Sequence, residues 1–309
     1  MQYLIDASVY VFRAWHSMPP DLVDGDGNPV NALYGYCRFL GDFLEQVRPE
    51  HAAVLFDESL TTSFRNRLYP GYKANRERPP EELKRQFRLC RRFTRAIGVM
   101  ECAHPTFEAD DLIGTLVVEA RASGMPSTVV SRDKDLAQLI GPEDVFWDFA
   151  GKGRLTYAEI PGVFGVRPEQ IADFLALAGD GVDNIPGVPG VGRKTAAALL
   201  GHFGSLDAIY ANLDRVCDVD CRGAKTLAGK LEAHREAALL SRSLTAIACD
   251  VPYDRPLTGL RVRPPELGAL NALCDETGFG TALRRQAERL ADLVAERSPL
   301  ATELAPARA

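Results

Sequence analysis

The 309-residue sequence lacks the features that direct a chain into or across a membrane. No stretch reaches the roughly 18 consecutive apolar residues that a membrane-spanning helix needs. The N-terminus has neither the basic segment nor the long apolar segment of a secretory signal peptide. We therefore expect a cytoplasmic protein that does not associate with membranes. Internal repeats are also missing from the sequence.

Paired cysteines are absent as well. The seven cysteines form no C-x-x-C motif, and an odd number cannot all pair within one chain. Cys217 and Cys221, with Asp220 beside them, hint at a metal site, but no second pair and no suitably spaced histidine completes it. We expect reduced thiols, as is usual for cytosolic proteins.

An overall excess of positive charge is the third missing feature. The chain has 36 Lys and Arg against 42 Asp and Glu, which gives a formal net charge of −6. Such a balance is unusual for a nucleic-acid binder, but net charge averages over the whole surface. Two divalent cations bound to a carboxylate cluster would neutralise about four of the negative charges. The distribution of the charges therefore matters more than their sum.

Acids are present at the ends of three short apolar runs. The runs cover residues 3–5, 52–56 and 127–131, and the acids that follow them are Asp6, Asp57, Asp133 and Asp135. Helical patterns at 32–47 and 112–122 lie between the runs. Strands that alternate with helices predict an α/β fold with a parallel sheet. Ligands of such sheets bind beyond the carboxyl ends of the strands, where we expect these acids to lie.

A further group of acids, Glu108, Asp110 and Asp111, stands at the start of the second helical pattern. Carboxylates this close resist ionising together unless cations lie between them, and Mg²⁺ prefers oxygen ligands. The simpler interpretation is that acids in a first helical turn favour the positive end of the helix dipole. The acids at the strand ends shift the balance towards a cation site.

A basic segment, residues 65–95, precedes this acidic group. It carries eleven Lys and Arg against three Glu, and Pro79-Pro80 predicts that it forms two helical pieces. The excess of one sign favours binding to a phosphate backbone, with a solvated helix face as the alternative. Tyr72, beside Lys73, can stack on a base, and packing in the protein is an equal alternative for it.

The second half of the chain begins with a predicted hairpin at 146–157 and a helix that Pro168 opens and Gly179 closes. Asp180 and Asp183 follow, and a glycine-rich turn at 185–192 then leads into another helix. Amides at such a helix start can hold a phosphate, with a plain helix–turn–helix packing as the alternative. The turn is not a Walker loop, because the Gly-Lys-Ser/Thr order fails.

Together these motifs resemble the 5′-nuclease family, which includes the 5′–3′ exonuclease domain of bacterial DNA polymerase I and the flap endonucleases. The resemblance extends from Met1 to about Arg285. It rests on Asp6-Ala7-Ser8, Phe56-Asp57, Tyr72-Lys73-x-x-Arg76, Glu108-Ala109-Asp110-Asp111, Asp133-Lys134-Asp135, the segment from Gly179 to Gly192, and Arg222-Gly223-Ala224-Lys225-Thr226. No polymerase portion follows these motifs, so we expect a stand-alone member of the family.

The resemblance implies a PIN-like (resolvase-like) α/β nuclease core with a parallel sheet over residues 1–165. It places a basic helical arch near 65–95 and an all-α helix–hairpin–helix (H3TH) DNA-binding domain over 166–255. We expect residues 256–309 to pack back on the core, with a disordered tail after residue 297.

The resemblance also implies a two-metal nuclease that uses two Mg²⁺ ions, for which Mn²⁺ can substitute. The acids that match those around the first metal are Asp6, Asp57, Glu108, Asp110 and Asp111. Those that match the second site are Asp133, Asp135, Asp180 and Asp183. Lys73 and Arg76 match the basic pair that steers the scissile phosphate and stabilises its developing charge.

The implied DNA contacts lie in both domains: Phe12, Tyr72, Gly190, Gly192, Lys194 and Lys225. For Phe12 a core role is the alternative to stacking on the nucleotide near the cut. A K⁺ ion held by the carbonyl groups of Val188 and Val191 is a further implication. Gly187 stands where some family members place a serine ligand for that ion, and Arg132 stands where a small residue is usual beside Asp133.

We predict a structure-specific 5′–3′ exonuclease and 5′-flap endonuclease that acts on DNA in replication and repair. Its partners are flap, nicked or branched duplexes and a DNA polymerase acting in trans, and we expect a monomer. One alternative is a branched-DNA-binding protein whose catalytic centre has decayed, which the full acid set and Lys73 disfavour. The other is a PIN-type ribonuclease, which would need neither the long basic arch nor the glycine-rich second domain.

Overall fold

The structure is a computed structural model that describes residues 1–58, 62–149, 151, 153–253 and 257–297. The chain splits into two compact units. Unit 1 comprises Met1–Phe56, Pro79–Cys102 and Tyr253–Ala309, and unit 2 comprises Asp57–Arg78 and Ala103–Pro252. None of the helices within the described ranges combines the length and apolarity that a bilayer crossing demands. The predicted disordered tail after residue 297 lies outside the described residues.

Six strands are present in the described ranges: β1 (Gln2–Asp6), β2 (His51–Asp57), β3 (Met100–His104), β4 (Ser127–Val130), β5 (Val145–Asp148) and β6 (Gly153–Thr156). Their order is β3-β2-β1 in unit 1 and β4-β5-β6 in unit 2. β1 and β2 pair in parallel from Gln2 opposite His51 to Asp6 opposite Leu55. β4 and β5 are also parallel, whereas β5 and β6 form the predicted antiparallel hairpin. The predicted α/β class with parallel strands is confirmed.

The α-helices of the described ranges are α1 (Ala7–Ser17), α2 (Asn31–Val47), α3 (Phe64–Leu68), α4 (Glu81–Ala96), α5 (Ala109–Ala122), α6 (Ile160–Phe164), α7 (Ile171–Ala178), α8 (Arg193–Phe203), α9 (Leu206–Ala211), α10 (Ala224–Ala233), α11 (Arg235–Thr245), α12 (Leu267–Thr277) and α13 (Thr281–Ala295). Short 3₁₀ turns cover Lys134–Leu139, Pro168–Gln170, Leu213–Asp218 and Leu257–Leu260. The two predicted helical pieces are α3 and α4, but α3 already ends at Leu68, so the Pro79-Pro80 pair marks only the start of α4.

The core of unit 1 lies on the apolar strands β1 and β2, in which Leu4, Ile5 and residues 52–56 are fully buried. Helix α2 presents one buried stripe at helical spacing, formed by Leu33, Tyr36, Leu40 and Leu44. The Tyr36 hydroxyl is also hydrogen-bonded to Thr94 Oγ1 at 2.6 Å, so the buried phenol keeps a polar partner. Helices α1, α4 and α13 pack against α2.

In unit 2, α5 contains the predicted helical pattern at 112–122; it buries Leu112, Ile113, Leu116 and Val117 and packs on β4. Helices α7, α8 and α11 pack together farther along the chain. Helices α10 and α11 are separated at His234, which has non-helical backbone angles (φ −119°, ψ 22°). The helix expected from Pro168 begins as a 3₁₀ turn, in which Gln170 donates to the carbonyl groups of Leu200 and Gly204.

Candidate active site

Seven acids of unit 2 stand at the ends of strands or helices. Asp57 closes β2, Glu108 is the N-cap of α5, and Asp110 lies half-buried in the first turn of that helix. The other four follow β4 or α7: Asp133, Asp135, Asp180 and Asp183. These are the places that the strand and helix patterns predict.

Backbone amides orient several of these carboxylates. Asp57 Oδ1 accepts a hydrogen bond from the amide of Ala109 at 2.9 Å, which ties the end of β2 to the start of α5. Asp133 Oδ1 accepts from the amide of Asp135 at 3.0 Å, as an N-cap does. Amide donors restrict the directions in which the carboxylates point, so the acids are held in place by the backbone rather than by side-chain packing alone.

Lys73 lies among these acids. Its Nζ is 2.9 Å from Glu108 Oε1 and 3.9 Å from Asp183 Oδ2. Burial would lower the pKa of the Lys73 ammonium, but the nearby charges, those of Glu108, Asp183 and Asp57 included, hold it well above its ordinary value. Lys73 is therefore a permanent cation in the middle of the group.

Two neighbours of Lys73 contact the same carboxylates. The Tyr72 hydroxyl donates to Glu108 Oε2 at 3.0 Å and to Asp183 Oδ2 at 3.3 Å, and Arg76 forms an ion pair with Asp183. Tyr72 is only 3% exposed and packs against hydrophobic side chains of unit 2. Of the two roles considered for Tyr72, this structure shows packing within the protein: the ring is buried and is not accessible to a base.

Electrostatics show how tightly the second group of acids is crowded. Burial is the main cause that raises the pKa of Asp135, to about 8. Three neighbouring carboxylates raise it further: Asp133, Asp180 and Asp183. Burial also raises the pKa of Asp133, and the charge of Lys73 offsets part of the rise for both acids. These carboxylates therefore oppose one another's ionisation within a poorly solvated volume.

The donor set of this volume fits divalent cations of the Mg²⁺ type. Every side-chain donor is a carboxylate oxygen, the ligand that hard cations prefer. A cation among the acids would also favour their ionised forms, which crowding and burial oppose. Within the described ranges, however, no three Asp, Glu, His or Cys side chains already stand as a ready metal-binding group. The acids are near one another without forming a closed cage.

Asp111 differs from the other acids in its partners. It is fully buried and forms a two-pronged ion pair with Arg65, with Nη1–Oδ2 and Nη2–Oδ1 distances of 2.8 Å. Arg65 is a residue of this site that the sequence pattern did not single out. The excess of basic residues in 65–95 does not distinguish a buried arginine from those that face solvent.

An antiparallel bridge precedes the glycine-rich turn: Asp180 and Ile185 exchange backbone hydrogen bonds at 2.9 and 2.7 Å. Gly187 has a left-handed φ of 64°, and a Cβ there would lie 2.3 Å from the amide nitrogen of Gly179. Only glycine fits this close backbone approach. Val188 and Val191, the predicted carbonyl donors to K⁺, are linked by a hydrogen bond from Val191 N to Val188 O.

The predicted DNA contacts of this turn lie at the surface. Gly192 is the N-cap of α8, and Lys194 in the first turn is exposed, as is Lys225 in α10. The structure adds Lys230, whose Nζ lies 3.2 Å from the position that a Cβ of Gly190 would take. Sequence spacing could not assign Lys230 to these glycines, because it lies thirty-eight or more residues from them along the chain. Only the fold brings Lys230 of α10 close to Gly190.

The predicted residues of unit 1 have local roles there. Asp6 is buried at the N-cap of α1 and accepts a hydrogen bond from the amide of Ser8 at 3.1 Å. Phe12 is 36% exposed, and its ring packs edge-on against Phe87 with centroids 5.5 Å apart. The assignments of Asp6 to a metal and of Phe12 to a nucleotide stay predictions.

Family models match nearly the whole described chain. Residues 1–161 match the 5′–3′ exonuclease N-terminal resolvase-like domain, and residues 166–267 match the 5′–3′ exonuclease C-terminal SAM fold. The first match covers more than half of the sequence. The expected resolvase-like core followed by a helical domain agrees with both.

Curated relatives include two bacterial DNA polymerases I. The enzyme of Rhizobium leguminosarum is 39% identical over 293 residues, which are 93% of this chain and 28% of the relative. The enzyme of Pseudomonas aeruginosa is 42% identical over 277 residues, which are 89% of this chain and 30% of the relative. The chain thus spans less than a third of the length of these relatives.

Solved structures share the fold at low sequence identity. A structure of T5 5′-exonuclease with zinc ions bound has a TM-score of 0.64 at 19% identity and covers 95% of this chain and 99% of its own. Flap endonuclease-1 from Methanococcus jannaschii has a TM-score of 0.61 at 16% identity, with 96% and 93% covered. The two family models show that the chain belongs to the 5′–3′ exonuclease family, and the likenesses to solved structures show that it shares their fold.

Proposed function

We propose that the chain is a structure-specific 5′–3′ exonuclease and 5′-flap endonuclease that hydrolyses DNA phosphodiester bonds with two divalent cations. One observation carries the proposal: acids from four separate stretches of unit 2 act on the same ammonium group, that of Lys73. Lys73 Nζ lies 2.9 Å from Glu108 Oε1 and 3.9 Å from Asp183 Oδ2. The charges of Asp57, Glu108 and Asp183 raise the pKa of Lys73, and its own charge lowers the pKa of Asp133 and that of Asp135. Phosphoryl transfer needs this combination of anionic cation ligands and a fixed positive group.

The carboxylates that would hold the two cations are those predicted from the motifs, except for Asp111, whose two oxygens are both paired with Arg65. Around the first we place Asp57, Glu108 and Asp110, and around the second Asp133, Asp135, Asp180 and Asp183. Asp6 belongs to the same motif set, and its assignment rests on the family resemblance alone. When bound, Mg²⁺ lowers the pKa of water and neutralises charge on a scissile phosphate, and Mn²⁺ substitutes for it in many such sites.

The chain's own basic residues would act on the scissile phosphate. The Lys73 ammonium is a fixed donor whose position is set by Glu108 and Asp183. Arg76 is more exposed than Lys73, with 34% against 9% of its side chain accessible, so it can reach a phosphate at the edge of the group. Tyr72 donates to both carboxylates and thereby fixes their orientation. We assign binding and charge stabilisation to Lys73 and Arg76, and orientation to Tyr72.

The helical domain would hold the duplex. The amides at the start of α8, between Gly190 and Lys194, point out of a helix N-terminus, where a backbone phosphate is favoured. Lys230 adds positive charge beside Gly190, and Lys225 is exposed on the same helix, α10. Contacts of this kind read the shape of DNA and not its sequence. A K⁺ ion on the carbonyl groups of Val188 and Val191 is part of the same proposal.

The names of related proteins support the biological setting. The sequence relatives are DNA polymerases I, and one structural neighbour is a T5 flap endonuclease complex with DNA and metal ions. We propose that the chain acts on flap, nicked or branched DNA during replication and repair. A DNA polymerase acting in trans and a monomeric state complete the proposal.

A 5′-flap duplex labelled at each end in separate preparations tests the proposal. With Mg²⁺ we expect short products from the 5′ label for exonuclease action and a flap-length product for endonuclease action, and we expect neither with chelator. An RNA flap in parallel separates the ribonuclease alternative. If the wild type and Asp57→Asn degrade the DNA at the same background rate, the chain is a binding protein and the proposal fails.

A further inference from the structure

Arg65 is a buried arginine in the basic segment 65–95, which the charge pattern assigns to DNA binding. Only 2% of the residue is exposed. A guanidinium has five N–H donors, and the structure gives Arg65 five hydrogen bonds. The acceptors are Leu244 O, Glu108 Oε2, both carboxylate oxygens of Asp111, and Ala246 O. No donor remains for a phosphate, so Arg65 does not serve as a DNA contact in this arrangement.

The partner carboxylate, Asp111, is equally saturated. Its Oδ1 accepts from Arg65 Nη2 at 2.8 Å and from the amide of Ala248 at 2.9 Å. Its Oδ2 accepts from Arg65 Nη1 at 2.8 Å and from the amide of Glu108 at 3.0 Å. A carboxylate offers about four lone-pair positions, and all of them are in use here. Asp111 has no position left for a cation.

Glu108 connects this pair to the candidate active site. Arg65 Nη1 lies 3.3 Å from Glu108 Oε2, while Lys73 Nζ lies 2.9 Å from the other oxygen, Oε1. The amide of Glu108 is held by Asp111 as well. Both the side chain and the backbone of this acid therefore depend on the Arg65–Asp111 pair.

The same guanidinium also contacts the end of helix α11. Its Nε donates to Leu244 O and its Nη2 to Ala246 O, both at 2.8 Å, at the C-terminal end of α11. That helix packs against α7, whose end leads into Asp180 and Asp183. One side chain thus joins the end of the helical domain to the start of α5.

We propose that Arg65 is a positioning residue that holds Glu108 in the orientation needed for a cation, and that Asp111 anchors Arg65 instead of binding a metal. This inference rests on the proposed cation site at Glu108. Lysine cannot replace arginine here, because a single ammonium cannot make a two-pronged pair and also reach two carbonyl oxygens. The arrangement predicts that Arg65 affects cation affinity without affecting DNA affinity.

The test measures Mn²⁺ binding by calorimetry without DNA, on wild type and Arg65→Lys, at a temperature at which near-ultraviolet circular dichroism shows both folded. We expect Mn²⁺ affinity to fall about 10–100-fold, as for the loss of other groups that orient a metal ligand. Binding of a labelled flap at saturating Ca²⁺ should not change. Arg121→Lys is the matched control, since Arg121 also joins a buried acid, Asp144, to a carbonyl oxygen, at the other end of α5.

Asp111→Asn and the double variant Asp111→Asn/Arg65→Lys show whether Asp111 anchors Arg65 or binds the cation itself. An anchor and its arginine act as one unit, so the double variant should bind Mn²⁺ no more weakly than the worse single variant. Losses that multiply would show that Asp111 contributes independently, as a ligand does, and would overturn the inference. Unchanged Mn²⁺ affinity in Arg65→Lys, or a weaker flap affinity with unchanged Mn²⁺ affinity, would overturn it too.

Failure of the proposed function has a different signature. If the wild type binds Mn²⁺ but does not cleave flap DNA, the nuclease proposal fails and the comparison of Mn²⁺ affinities still decides the role of Arg65. If the wild type cleaves but Arg65→Lys binds Mn²⁺ normally, only the positioning role fails.

Discussion

Lys73 Nζ lies 2.9 Å from Oε1 of Glu108, and the backbone of Lys73 is arranged to keep it there. Lys73 has a left-handed φ of 55°, which a lysine adopts only at a cost. The amide of Lys73 donates to the carbonyl oxygen of Asp183 at 3.0 Å. Asn184 donates from its side chain to Gly71 O at 2.7 Å and holds the same two loops together. The strain thus aims one ammonium group at the acids.

Removing that ammonium group should slow chemistry more than binding. We expect Lys73→Ala to reduce the single-turnover rate on a 5′ flap by about 100-fold or more, the usual loss for one preorganised donor. Quenched-flow rates and flap affinities in Ca²⁺ measure the two effects separately. Lys225→Ala is the control, which should weaken binding and spare the rate at saturation. An affinity defect alone in Lys73→Ala would contradict the assigned role.

Asp135→Asn tests the second group of acids. An amide is isosteric with the carboxylate but is a poorer cation ligand, so DNA placement should survive while metal-dependent chemistry does not. We expect flap binding in Ca²⁺ to persist. The single-turnover rate should fall by more than the roughly 10–100-fold lost when a residue that only orients a metal ligand is removed. An unchanged single-turnover rate would refute the assignment of Asp135.

The positions of the acids could be predicted because strand and helix ends are readable from the sequence. Asp57 and Asp133 follow apolar runs that become β2 and β4, and Glu108 precedes an apolar helical pattern. The partners of Arg65 could not be predicted in this way. The carbonyl groups of Leu244 and Ala246 lie 179 and 181 residues away along the chain. Because every residue has a backbone carbonyl group, the sequence does not indicate which of them accepts a hydrogen bond from Arg65.

One strand was missed for a related reason. β3 (Met100–His104) contains Glu101 and lacks a clean apolar run. The structure buries Glu101 and pairs it with Arg91 at 2.5 Å and Arg95 at 2.8 Å, both in α4. A buried acid is tolerated in a strand when such pairing exists, and the pairing becomes visible only in the fold. Local polarity therefore concealed the strand.

Gly187→Ser should not create the potassium ligand that some family members have at this place. A Cβ at this position would meet the backbone of Gly179 and Ala178 at 2.3–2.8 Å. We expect a loss of folding stability of at least about 1–3 kcal/mol from the left-handed conformation, plus the effect of the backbone clash. Urea denaturation measures the loss, and K⁺ should not reverse it.

The control for Gly187→Ser is Gly201→Ala, in the last turn of α8, where a Cβ would meet nothing within 4 Å. Alanine is favoured over glycine in a helix interior by about 1 kcal/mol, so this variant should be as stable as the wild type or more so. Equal stability of Gly187→Ser and wild type would contradict the close backbone approach.

Divalent cations should stabilise the folded chain. A cation bound by the native acids and not by the unfolded chain raises stability by about 2.7 kcal/mol at a concentration 100 times its dissociation constant. We expect the unfolding midpoint in Mg²⁺ to exceed that in chelator, and the gain to shrink in Asp135→Asn. Differential scanning calorimetry measures both. The same gain in Asp135→Asn as in the wild type would place the cations elsewhere.

Asp173 should give the helical domain a pH-dependent stability. Burial raises the pKa of its carboxyl, against the opposing effects of a hydrogen bond from the Leu206 amide and the charge of Arg242, while Asp207 raises it further. Because the pKa of Asp173 is higher in the folded than in the unfolded chain, its protonated carboxyl contributes to folding stability. This contribution is fully present below the unfolded-state pKa and is lost as the pH rises through the folded-state pKa. The difference in urea midpoint between Asp173→Asn and wild type should therefore favour the variant more as pH rises from about 4 to 7. A constant difference would contradict the raised pKa.

The dependence of the single-turnover rate on free Mg²⁺ tests the central proposal, that these acids collect two cations for phosphodiester cleavage. On a 5′-flap duplex at subsaturating Mg²⁺, two required ions predict a rate that rises with about the second power of the concentration and vanishes in chelator. Asp57→Asn and Asp135→Asn should each shift this curve to higher Mg²⁺. A first-power dependence that neither variant shifts, or cleavage that persists in chelator, would contradict the account.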